Sequence, residues 1–183
     1  MDILIVVDMQ NDFVSGALGT PEAAEIVPYV VGRVVDGMNR GEEIFFTRDT
    51  HGPDYLDTQE GKRLPVPHCI RGTEGWEIIP QLQEYAAHPI DKPTFGSQDL
   101  GSLLKTRDED LRKQGSPGVE KVTLIGVCTD ICVLSNALLV KAFLPEAEIV
   151  VEAACCAGVT PQAHRTALEA MRACQITVVQ EKA

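Results

Sequence analysis

A chain of 183 residues, 44% hydrophobic and 23% charged, has the length and balance of one globular domain, which excludes a disordered polymer. Its formal charge of −11 repels nucleic-acid phosphates and anionic membrane surfaces, so the expected partner is a small molecule, another protein or a cation. The opening MDILIVVDMQ lacks the basic flank of an export signal, and no stretch approaches the ~18 apolar residues of a membrane span, so a cytoplasmic location is expected.

In chain order, residues 3–7 form an unbroken apolar run, the pattern of a strand covered on both faces. A helix is predicted over Pro21–Arg40, with Thr20 as N-cap, Pro21 in its first turn and Gly41 closing it. Residues 43–47 read as a second strand. Residues 49–75 then run without periodicity, and loops of such length tend to carry function. A short third strand over 88–91 ends at Lys92, followed by a helix over 99–105 and a turn over 113–118. The fourth strand spans 119–127, a helix 130–143, the fifth strand 147–152, a helix Pro161–Ala173 and the last strand 176–179. Alternating β and α units of these lengths predict a single α/β domain over residues 1–183, a parallel sheet with helices on both faces.

Ligands bind such sheets at the carboxyl ends of strands. Reactive side chains gather there: Asp8 after the first strand, Asp49 and His51 after the second, Lys92 after the third, Cys128 and Cys132 around the fourth. Each alone has an ordinary explanation as a cap, a solvated charge or a packed thiol. Together they suit nucleophilic catalysis on an amide. Cys132 in a first helical turn is expected to feel the positive end of the helix dipole, and Lys92 to favour thiolate further. Asp8 would take the thiol proton and return it to a departing amine, while the backbone N–H groups of Cys128 and Cys132 hold the oxyanion. Cys128 is the rival nucleophile. Cys155 and Cys156 read as core or pocket wall, and without an export signal the six cysteines are expected to be free thiols.

These residues fall in segments similar to a known family. Val7-Asp-Met-Gln-Asn-Asp-Phe13, Thr47-Arg-Asp-Thr-His51, His68-Cys-Ile-Arg-Gly-Thr73, Lys92-Pro-Thr-Phe95 and Gly126-Val-Cys-Thr-Asp-Ile-Cys132 occur in order over nearly the whole chain. The chain resembles the isochorismatase-like cysteine hydrolases, and within them the nicotinamidase branch. The resemblance implies a six-stranded parallel sheet, an Asp8–Lys92–Cys132 triad, a cis peptide between Val127 and Cys128, and a homo-oligomer. It implies hydrolysis of nicotinamide to nicotinate and ammonia, a step of pyridine-nucleotide salvage in NAD metabolism. It also implies one divalent metal on Asp49, His51 and His68, with Glu60 as a further carboxylate. Zinc is the first choice for that set, with iron or manganese as alternatives. Phe13 would pack on a flat substrate, with Leu18 and Trp76 as helpers. The chain departs from the branch where aromatic residues are usual, having Leu64-Pro-Val-Pro67 before His68 and Ile131 before Cys132. That departure keeps a ureido or carbamoyl substrate as an alternative. A thiol redox or metal-storage protein built on Cys128, Cys132, Cys155 and Cys156 is the reading from another class.

Overall fold

The structure, a computed structural model, describes residues 1–180. The strands are β1 (Asp2–Val7), β2 (Glu43–Asp49), β3 (Ile90–Lys92), β4 (Lys121–Val127), β5 (Glu148–Ala157) and β6 (Thr177–Val179). The helices are α1 (Asn11–Val14), α2 (Pro21–Arg40), α3 (Gln59–Arg63), α4 (Gln98–Lys113), α5 (Leu134–Phe143) and α6 (Pro161–Ala173). All strand pairings are parallel, in the order β3-β2-β1-β4-β5-β6. The chain therefore starts mid-sheet, builds outward through β2 and β3, then crosses back to place β4 on the other side of β1. The direction of winding reverses between β1 and β4, which is where open α/β sheets bind ligands.

Alternation along β1 builds two cores. Ile3, Ile5 and Val7 face a layer of α4, α5 and α6, contributed by Leu100, Leu104, Ala137, Val140, Leu168 and Met171. Leu4 and Val6 face α2 through Ile26, Val30 and Val34. The α2 ends match expectation. Thr20 accepts a hydrogen bond from the Ala23 N–H at 3.1 Å, and Gly41 takes a left-handed φ of 74°.

Three elements outrun their expected bounds by two residues or more. β2 continues through Arg48 and Asp49 because both pair with β3, where Arg48 Nε donates to Asp91 Oδ1 at 2.7 Å. α4 continues to Lys113 because Arg112–Asp108 and Lys113–Asp110 pairs support its polar second half. β5 runs on to Ala157 after a register irregularity opposite Leu124–Gly126, which shifts the apolar alternation partway along the strand. Gly126 has a φ of 113°, and a Cβ there would lie 2.1 Å from the Val7 carbonyl oxygen. Only glycine lets the ends of β1 and β4 come this close.

Candidate active site

β3 delivers Lys92 into the interior, where it is 1% exposed. Its Nζ lies 2.7 Å from Asp8 Oδ2, 3.2 Å from Asp49 Oδ1 and 3.4 Å from Cys132 Sγ. A buried ammonium is costly unless paired, and two carboxylates supply the pairing. Asp8 follows β1 in the left-handed region, with a φ of 49°. Its Oδ1 accepts a hydrogen bond from the Thr47 hydroxyl at 2.7 Å.

The proton balance differs from the sequence expectation. Burial pushes the Cys132 thiol well above its usual range; Asp8 and Asp49 push the same way, and Lys92 only partly opposes them. Burial also raises Asp8 against the pull of Lys92. Lys92 itself is held well above the ordinary lysine range: burial works against its charge, but Asp8, Cys132 and Asp49 outweigh that cost. Burial and the two carboxylates thus favour the thiol form of Cys132 over the thiolate, against the pull of one ammonium.

Cys132 sits in a π-helical turn, Thr129–Val133, that precedes α5 and replaces the expected helix start at Asp130. The Val127–Cys128 peptide leading into it is cis. Neighbours tie this turn down on two sides. Thr129 Oγ1 lies 2.8 Å from His164 Nδ1, and Asp130 Oδ1 accepts from the Val159 N–H at 3.0 Å. Asn136 donates to the carbonyls of Cys132 at 2.8 Å and Phe95 at 3.1 Å, and accepts from the Ser97 N–H at 2.9 Å. Cys128, at the start of this turn, has its thiol pushed up to about 12 by burial and by Asp130.

Asp49, His51 and His68 present ligand atoms within 4.8 Å of one another. His51 Nε2 lies 3.0 Å and His68 Nε2 3.6 Å from Asp49 Oδ2. His68 Nδ1 lies 2.8 Å from the Val66 carbonyl, which fixes that nitrogen as the N–H and leaves Nε2 facing the cluster. The Tyr55 ring packs on both imidazoles, at 4.7 and 5.0 Å between centroids. Burial opposes ionisation of Asp49, but the adjoining His51 and His68 and the charge of Lys92 hold it well below the usual carboxylate range. An anionic oxygen and two oriented imidazoles fit a divalent ion. Glu60 lies beside this set, with Oε1 3.7 Å from His51 Nε2 and 3.9 Å from His68 Nε2.

Above Cys132 opens a cavity of about 620 Å³, lined by Phe13, Leu18, His68, Cys128 and Ile131 among others. Trp76 does not reach it. Its indole donates to Thr50 Oγ1 at 2.8 Å, and the Arg48 guanidinium stacks on the ring at 3.4 Å, so it is a structural residue. The cysteines do not assemble into a thiol cluster. Cys132 and Cys156 belong to one core, Cys128 and Cys155 pack on the other. Gln10, Thr47, Tyr55 and Asn136 escaped the sequence reading. Gln10 is fully buried, donating to the carbonyls of Asp49 and Trp76 at 2.8 Å each and accepting from the Asp49 N–H at 2.7 Å. Its place inside the Asp8–Phe13 segment was the available signal.

The isochorismatase domain family matches residues 2–182. The zinc-bound pyrazinamidase of Pyrococcus horikoshii superposes with a TM-score of 0.75 at 31% identity, covering 98% of this chain and 99% of its own. The nicotinamidase of Schizosaccharomyces pombe is 28% identical over 98% of this chain and 93% of its own length. The N-carbamoylsarcosine amidase of Thermoplasma acidophilum has a TM-score of 0.74 at 26% identity, covering 100% of this chain and 98% of its own. With a match that runs almost end to end, the chain belongs to the isochorismatase family.

Proposed function

We propose that the chain is a cysteine-dependent amidohydrolase whose first substrate is nicotinamide, released as nicotinate and ammonia through a thioester. The observation that carries this reading is Lys92 Nζ joining Asp8, Asp49 and Cys132 beneath a cavity that also presents His68 and Phe13. Asp8 takes the Cys132 proton as the sulfur attacks the carboxamide carbon, forming the C–S bond. The backbone N–H groups of Cys128 and Cys132 hold the oxyanion. The C–N bond breaks, and ammonia leaves with the proton from Asp8. Water then attacks the thioester, Asp8 accepts its proton, the C–S bond breaks and the thiol is restored. Lys92 stays charged throughout and stabilises whichever of Asp8 and Cys132 is the anion. Asp49, His51 and His68 would hold the divalent ion, zinc first, which supplies a Lewis-acidic position for the pyridine nitrogen.

The same reading extends to a cytoplasmic homo-oligomer in pyridine-nucleotide salvage. Among the described residues, no helix is long and apolar enough to cross a membrane. A ureido or carbamoyl substrate is the second reading, favoured by Ile131 and Leu64 in the cavity wall, where they offer no ring to a flat heterocycle. Ammonia release from a panel of nicotinamide, pyrazinamide, benzamide and N-carbamoyl amino acids tests both. Turnover of the pyridine and pyrazine amides, with little from the others, supports the first reading. Selective turnover of the carbamoyl compounds replaces it with the second.

A further inference from the structure

The cavity is larger than one ring amide fills. Its volume of about 620 Å³ lies in the range of sites that enclose ligands well beyond a single heterocycle. Apolar side chains make up much of its mouth. Leu64, Phe95 and Val159 line it and remain 38%, 44% and 48% exposed, three of the nine large hydrophobic side chains left exposed among the described residues. Single exposed hydrophobics need no explanation, but three around one opening mark a contact surface.

The same opening carries a cation. Arg63 ends α3 and lines the cavity, and its guanidinium has no hydrogen-bond or ion-pair partner among the described residues. Glu60, three residues earlier on the same short helix, does not neutralise it, because its carboxylate turns inward to His51 and His68. Asp49 is likewise engaged by Lys92 and the two histidines. In a chain with 27 acidic residues against 16 Lys and Arg, a free guanidinium at an apolar opening stands out.

We propose that the cavity takes carboxamides extended beyond the ring by an apolar arm that ends in a carboxylate. The amide end meets Cys132, the arm lies against Leu64, Phe95 and Val159, and the carboxylate pairs with Arg63. This rests on the amidohydrolase reading for the buried end and adds the chemistry of the distal half. The planar guanidinium matches a carboxylate with two parallel hydrogen bonds, which a neutral terminus does not satisfy.

Three ligands test it: nicotinamide, a ring-substituted nicotinamide with a short alkyl arm ending in a methyl ester, and the same arm ending in the free acid. Calorimetry on metal-containing Cys132→Ala protein reads affinity without turnover, and ammonia release from the native protein reads chemistry. The acid is expected to bind about tenfold more tightly than the ester, the scale of a charge-assisted pair at a part-exposed site. Arg63→Gln should erase that difference and Arg63→Lys should restore a preference for the acid. Leu64→Ser with Phe95→Ser should weaken both armed ligands. Equal affinity of acid and ester overturns the inference, as does a preference that survives Arg63→Gln. Armed ligands that bind more weakly than nicotinamide also overturn it, as they would if a second copy covered the opening. If the acid binds as expected yet no compound releases ammonia, the arm subsite stands and the hydrolase reading fails.

Discussion

Replacing Thr47 by Val removes one hydroxyl from the interior and isolates its effect on the proposed base. The Thr47 hydroxyl donates to Asp8 Oδ1 at 2.7 Å, and neither residue is exposed. Val keeps nearly the same shape but offers no donor, and burial prevents water from replacing it. A hydrogen bond to a charged group is worth about 1.5–3 kcal/mol. At about 1.4 kcal/mol per pKa unit, its loss should raise the Asp8 pKa by ~1–2 units. The sign follows from which form the hydroxyl stabilises: it favours the carboxylate, so without it Asp8 holds a proton to higher pH. The acidic limb of kcat/KM for ammonia release should therefore move up by ~1–2 units, a change belonging to the coupled Asp8–Lys92–Cys132 set. Activity on the alkaline side should change little. Thr47→Ser, which keeps the donor, should leave the limb near its native position. An unmoved acidic limb in folded Thr47→Val protein would refute the assignment of Asp8 as the base.

Cys132→Ala should abolish ammonia release, whereas Cys128→Ala should keep a substantial fraction; an electrophilic amide analogue found by mass spectrometry on Cys128 alone would reverse the roles. Asp8→Asn should lower kcat on the order of 10²-fold or more, since both the thiol and the leaving amine need its proton, and near-native activity at neutral pH would remove it from the mechanism. Elemental analysis should find about one divalent ion per chain, absent from a His51→Ala, His68→Ala double variant. Burial opposes protonation of His68, yet hydrogen bonds to Asp49 and Val66 raise its pKa. Since the neutral ring is the ligand, metal should be lost as pH falls, starting above the ordinary histidine value of about 6.5. A metal content that is flat down to pH 5 would argue for ligands other than these imidazoles.

The strands carrying Asp8 and Cys128 were legible because their apolar runs stop abruptly at those residues, and chemistry at a strand end is visible without coordinates. α2 was legible because Thr20, Pro21 and Gly41 each perform a local task that spacing reveals. What failed depends on distant partners. Thr47 and Asn136 are neutral polar residues with partners 39 or 41 positions away, and no local pattern reveals those partners. Trp76 offered an aromatic face that suits a substrate ring or an arginine equally well, and Arg48 occupies it. The β5 extension was hidden because the bulge shifts the alternation within an Ala-Ala-Cys-Cys-Ala segment already weak in β signal. The thiolate expectation weighed the helix dipole and Lys92 but could not weigh complete burial beside two carboxylates, which raises the thiol against the pull of Lys92.

The contact between Gly126 and Val7 divides the molecule's capacity to change. Spacing between the β1 and β4 ends is set by backbone against backbone, so no side-chain repacking can compensate for a methyl group there. Leu18, Leu64, Phe95 and Val159, by contrast, lie outside the sheet on four separate connections. Substitutions at those positions alter the cavity without touching the strands. An evolving lineage can therefore explore new amides through its loops while inheriting the reactive centre intact, and a library built for altered substrate range belongs in those loops.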